Sequence, residues 1–143
     1  MESEIDLEIT LKKPLEGIGF CLQKGKDEKI DYQISNGEDI TFAFSVRVKE
    51  GKGGSPNFLG DFTQGNSNER FVYICIGQYA GQKDTEWARR VKIKLSSISW
   101  AQINQVKLEK KAKLVASYEA TDKKGEPSCA SVPLVGKGWI VKK

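Results

Sequence analysis

The sequence predicts a mainly β protein, an antiparallel sandwich or barrel of about seven strands with one helix in the C-terminal half. Three observations carry this expectation. Hydrophobic residues recur at every second position through most of the chain, glycine-rich and polar turns separate these runs, and only one segment carries a helix start signal. No strand–helix–strand alternation occurs, which argues against a doubly wound sheet and its dinucleotide crevice.

Ile5, Leu7, Ile9 and Leu11 alternate with acidic and polar neighbours, so a first strand presents them on one face. Ile18, Phe20 and Leu22 repeat the pattern after Pro14 and Gly17. Ile40, Phe42, Phe44, Val46 and Val48 make the clearest alternating strand, with Thr41, Ala43, Ser45, Arg47 and Lys49 on its other face. The glycine-rich turn at 51–56 then leads into an irregular stretch, 56–69, that is too long for a plain hairpin turn. Residues 71–76 are apolar on both faces, as in a central strand covered on both sides. After a polar loop through Tyr79, Asp84 and Glu86, Val91, Ile93 and Leu95 alternate with Arg90, Lys92 and Lys94 in a strand with a basic outer face.

The helix is expected at about 99–110. Ser99 can cap it, Gln102 three residues on can complete a capping box, and Ile98 and Ile103 sit at the positions of a hydrophobic staple. Leu114, Ala116 and Tyr118 return to period two. A hairpin turn is expected around Gly125, and one or two closing strands between Cys129 and Val141, with Trp139 inside or at the rim.

At 143 residues the chain is expected to be one domain, 1–143, burying about two-thirds of the surface its unfolded form exposes. A hydrophobic fraction of 38% with 29% charged residues belongs to a folded, water-soluble chain. Apolar runs are only a few residues long, so no membrane span is expected. The start of the sequence is acidic and alternating rather than basic and then apolar, and the expected location is the cytoplasm.

The three cysteines, Cys21, Cys75 and Cys129, are odd in number and far apart, which predicts buried thiols rather than a disulfide scaffold or a zinc site. There are no histidines. Serine–histidine and cysteine–histidine nucleophile pairs, histidine-based facial triads and H-E-x-x-H metal sites are therefore excluded. No cofactor and no metal are expected, and the balance moves from catalysis toward binding. The glycines at 51–54, 77, 81, 136 and 138 fit no phosphate-binding motif and read as turn residues.

Several blocks, "PNFLG" at 56, "FTQG" at 62, "RFVY" at 70, "WARR" at 87 and "GEPSCASV" at 125, resemble a family of small bacterial proteins known as a domain of unknown function. The resemblance runs from the "GIGFCLQKG" segment at Gly17 to Trp139. It implies a shared fold and a cytoplasmic bacterial origin, and it implies no reaction, ligand or partner.

Net charge is +4 but uneven: ten acidic against five basic residues over 1–40, and nine against eighteen over 41–143. Such asymmetry marks either a basic contact face or two parts of one surface attracting each other. The residues expected to bind are Phe58, Phe62, Gln64, Arg70, Tyr73, Trp87 and Arg89, on a face formed by 56–70 and 84–90. An arginine among aromatics at the end of a β domain can fork onto a carboxylate or phosphate while the rings cover its apolar body. Alternatively, Phe58 and Phe62 plug the end of the core and Arg70 ties the loop through backbone carbonyls.

The expected function is thus a non-catalytic domain that binds a small ligand, anionic or not, or a protein partner, a second copy of itself included, through the 56–70 and 84–90 face. Two alternatives remain open. Nucleic-acid binding would use Arg89, Arg90, Lys92 and Lys94 with Lys107, Lys110, Lys111 and Lys113, although a solvated outer face accounts for the same residues. A carboxylate-based enzyme would draw on Asp61, Glu69, Asp84 and Glu86.

Overall fold

The protein, described here by a computed structural model, is defined at residues 2–14, 16–24, 29–59, 63–64, 70–79, 89–109, 112–120, 134–136 and 138–142. The polar loop at 80–88, the turn around Gly125 and Cys129 lie outside these residues.

The strands are β1 (Glu2–Lys12), β2 (Ile18–Gln23), β3 (Lys29–Ile34), β4 (Ile40–Glu50), β5 (Pro56–Leu59), β6 (Thr63–Gln64), β7 (Arg70–Tyr79), β8 (Arg89–Lys94), β9 (Lys113–Ala120), β10 (Leu134–Gly136) and β11 (Ile140–Lys142), with one helix, α1 (Trp100–Leu108), before β9. They form two separate sheets, so the fold is sandwich-like and not a closed barrel. Sheet 1 runs β10-β9-β1-β4-β5, with β11 also on β9; sheet 2 runs β3-β2-β7-β6, with β8 also on β7. The chain shuttles between them, contributing β1, then β4 and β5, then β9 to β11 to sheet 1.

Period two builds each layer. Along β1 and β4 every second residue is buried, and the register from Glu2↔Lys49 to Leu11↔Ile40 sets the two apolar rows side by side. Ile18, Phe20 and Leu22 of β2 with Val72, Ile74 and Ile76 of β7 make the facing row on sheet 2. Both rows belong to one buried cluster that Leu95, Ile98, Ile103 and Trp139 complete. Burying such side chains contributes roughly 1.5–3 kcal/mol each.

Two features depart from the expected pattern. The sheets hold more strands than about seven, because β3, β5 and β6 lie in stretches with little apolar alternation. Residues 56–69 are not wholly loop: β5 pairs with β4 and β6 with β7, so this stretch carries the chain from sheet 1 to sheet 2. The glycine turn before it folds as a 3-10 turn, Lys52–Gly54, with Gly53 and Gly54 at positive φ. The second departure is that β9 lies parallel to β1, from Leu7↔Leu114 to Lys12↔Glu119. All other pairings among the described residues are antiparallel. A parallel neighbour needs a crossover connection, and α1 lies in the segment that brings the chain from β8 to β9.

The helix begins as its sequence requires. Gln102 N donates to Ser99 Oγ at 3.2 Å and Ser99 N donates to Gln102 Oε1 at 2.9 Å, closing the capping box, while Ile98 and Ile103 are both buried. Gln102 does more than cap. Its Nε2 donates to the Trp139 carbonyl at 2.6 Å, and Trp139 Nε1 donates to the Lys94 carbonyl at 3.1 Å. This relay ties the helix start, the approach to β11 and the end of β8, joining both sheets at one end of the core.

Ser99→Ala should destabilise by about 1 kcal/mol, lowering Tm by about 3 °C. Gln102→Ala should cost more, because it removes the Trp139 tie as well; differential scanning calorimetry of the two variants makes the comparison. At Gly136, opposite Tyr118, a Cβ would stand 2.3 Å from the Ser117 carbonyl oxygen and 2.4 Å from Tyr118 Cδ1. Gly136→Ala should therefore cost about 1–3 kcal/mol in a urea titration despite the site's exposure.

Candidate functional site

The pleat decides which of the expected binding residues can act together. Phe58 is buried in the core cluster at 3% exposure, opposite Val48. Arg70 opens β7 opposite Gln64 and shares the face of Val72 and Ile74; Tyr73, three residues on, falls on the opposite face. Arg89 pairs with Ile76, six residues along the strand from Arg70, a separation of about 20 Å. Phe62 and Trp87 lie outside the described residues, as do Asp61, Glu69, Asp84 and Glu86. Arg70 and Tyr73 therefore do not converge on one small ligand, and the backbone of Arg89 is far from both along the strand. Arg70 instead supplies its backbone carbonyl to the Leu95 N–H at 2.9 Å, which extends the β7–β8 ladder.

The basic residues also separate. Arg90, Lys92 and Lys94 alternate on β8, whereas Lys107 is on α1 with its ammonium 5.8 Å from the Trp100 ring, and Lys113 is on β9, bonded to Glu8. Lys110 and Lys111 lie outside the described residues.

The outer face of sheet 2 is where charge and aromatic surface coincide. Phe71, Tyr73 and Cys75 stand opposite Lys94, Lys92 and Arg90. Lys92 Nζ lies 4.1 Å from the centroid of the Phe71 ring, and Tyr73 meets that ring edge-on at 5.2 Å. Lys92 and Lys94 are exposed and Tyr73 half-buried. Sheet 2's strands carry six basic residues, Lys29, Arg70, Arg89, Arg90, Lys92 and Lys94, against one acid, Asp31.

Sheet 1 is nearly balanced, with six acidic and five basic residues on its strands. The acids of β1 lie between basic partners from the later chain: Arg47 pairs with Glu2 at 3.8 Å and Lys113 with Glu8, while Ser45 Oγ donates to Asp6 Oδ1 at 2.8 Å. The acidic start and basic remainder of the sequence thus attract each other within this sheet. An open hollow of about 400 Å³ lies here between Asp6, Glu8, Ala43, Ser45, Ala112 and Lys113, and its polar groups are bonded to one another.

Asp39 holds the turn after β1. Its carboxylate accepts from the Lys13 N–H at 2.8 Å and pairs with Lys12 Nζ at 3.4 Å. The Lys13 backbone bond, with the Lys12 and Lys13 charges adding to it against some desolvation, holds the Asp39 carboxyl below its ordinary range. The bond also steadies Lys13, whose φ of 41° is unusual for a residue with a side chain. Among the described residues no group of three or more His, Cys, Asp or Glu side chains is placed to hold a metal ion. No described helix is long and apolar enough to cross a membrane.

The basic row of β8 is legible in the sequence, but its position beside Phe71 and Tyr73 is not, because strand partners are not written in the chain. The chain belongs to a family of unknown function (DUF5990), whose profile matches residues 5–142. Comparison with characterised proteins and with solved structures finds no match.

Because the Asp39 carboxyl is depressed in the folded state, its contribution is present above the ordinary carboxylate pKa of about 3.9 and is lost as pH falls through the folded value. Asp39→Asn should therefore lower Tm between about pH 5 and pH 7 and make no difference near pH 2. Thermal melts of both proteins across that range test it.

Proposed function

We propose that this is a non-catalytic binding domain that takes an anionic ligand on the outer face of sheet 2, along β7 and β8. One observation carries the reading: the row Arg90, Lys92, Lys94 lies in register with Cys75, Tyr73 and Phe71 on that face. Successive members of that row are about 6.8 Å apart, a spacing suited to repeated negative groups. The half-buried Tyr73 adds an aromatic surface beside them. The reading keeps an anionic ligand but moves its seat from the 56–70 and 84–90 loop face to the β8 row.

A labelled single-stranded oligonucleotide, followed by fluorescence anisotropy, and a thermal-shift panel of inorganic phosphates and nucleotides test this at about 50 mM salt. Lys92→Glu with Lys94→Glu should weaken the bound probe at least tenfold. If the oligonucleotide is the ligand, the same pair should reduce the salt slope by about 2. If no probe binds the parent protein at this salt, the reading fails.

A protein partner is favoured by a different place, strand β3, which is at the edge of sheet 2 among the described residues and exposes Tyr32 at 43% and Ile34 at 44%. An open edge with apolar side chains can accept a further strand. If that edge pairs two copies, light scattering should give twice the monomer mass, and Ile34→Lys should restore the monomer.

A further inference from the structure

The strand pairing brings together two residues that the sequence keeps 54 positions apart. Cys21 of β2 stands directly opposite Cys75 of β7, flanked by the pairs Phe20↔Ile76 and Leu22↔Ile74. Residues opposed in an antiparallel ladder share one face, with Cα atoms about 4.5 or about 5.5 Å apart according to pair type. Both values fall inside the range of about 4.4–6.8 Å that a disulfide spans. The two side chains are 1% and 0% exposed, and both are reduced thiols.

Their setting is polar on one side. Gln23, next but one along β2 and only 3% exposed, presents Oε1 to Cys75 Sγ at 3.6 Å, so the thiol donates to the amide oxygen. Neither sulfur belongs to the apolar cluster between the sheets; they lie on the outer face of sheet 2.

From this geometry we propose that Cys21 and Cys75 are a redox site, which a peroxide converts into a cross-strand disulfide. One thiolate attacks a peroxide oxygen; the O–O bond breaks, a sulfenic acid forms, and the leaving oxygen departs as water after taking up a proton. The second sulfur then attacks the sulfenic sulfur, forming S–S and breaking S–O, and the hydroxyl leaves as a second water. Two thiols lose two electrons and two protons, and hydrogen peroxide gains both. Burial makes the conversion slow and dependent on local opening of the β2–β7 pair, and it shelters the bond once formed. The site stands whether or not the same face binds an anion.

The test uses the full chain carrying Cys129→Ser, so that only this pair can react. Hydrogen peroxide should remove both titratable thiols together, with a mass loss of two hydrogens, and non-reducing proteolysis should yield one peptide joining Cys21 to Cys75. Dithiothreitol should restore both thiols. In Cys21→Ser or Cys75→Ser, each also carrying Cys129→Ser, peroxide should add oxygen to the remaining sulfur instead. The reaction is repeated in sub-denaturing urea to admit the oxidant. Retention of both thiols there, oxygen addition in the Cys129→Ser protein, or linkage only between molecules would overturn the proposal.

Discussion

The rest of the structure depends on the pleat, which sends successive side chains of every strand to opposite faces. Ile5 to Leu11 and Ile40 to Val48 bury one row, Ile18 to Leu22 and Val72 to Ile76 bury another, and the two rows share one core. Because each sheet turns its apolar row inward, each must display the complementary row outward. What the molecule can bind is therefore written in the residues left over from folding. On sheet 1 that remainder is the acid row of β1 with its basic neighbours; on sheet 2 it is the basic row of β8 beside the half-buried Tyr73, while Phe71 and the facing cysteines on the same side of the sheet are buried.

The strongest local signals in the sequence were those in which neighbours in the chain settle their own conformation. The cap at Ser99 and Gln102 and the staple of Ile98 with Ile103 are contacts within five residues, and the helix occupies the expected place. The long alternating strands were equally plain, because hydrophobic burial imposes period two. Strands β3, β5 and β6 were not legible. Phe58 is the one buried side chain of β5, and β6 has only two residues, so the ladder to a neighbour defines them rather than an apolar face. The parallel set of β9 on β1 was invisible for the same reason, since pairing joins residues about a hundred positions apart.

The candidate site divides along the same line. That Arg70 and Tyr73 face opposite ways follows from their odd separation alone, a signal present in the sequence once β7 is accepted as a strand. That Phe58 belongs to the core depends on its pairing with Val48, and the meeting of Cys21 with Cys75 depends on the register of β2 with β7. Counting cysteines weighs against a scaffold of disulfides, but a count carries no information about which two sulfurs share a face.

The architecture also explains why the acids of the N-terminal strand leave sheet 2 basic. Packed sheets lie about 10 Å apart, and outward side chains add several ångströms on either side, so the two outer rows are well beyond the screening length of about 8 Å at physiological salt. Glu2 and Glu8 reach Arg47 and Lys113 because those partners are on adjacent strands of their own sheet. On the β8 strand itself Arg90, Lys92 and Lys94 stand at successive spacings of about 6.8 Å. Exposed pairs on sheet 1 contribute little stability, at most about 1 kcal/mol each. Their larger effect is to leave the strands of sheet 1 nearly neutral, in contrast to the basic row of β8.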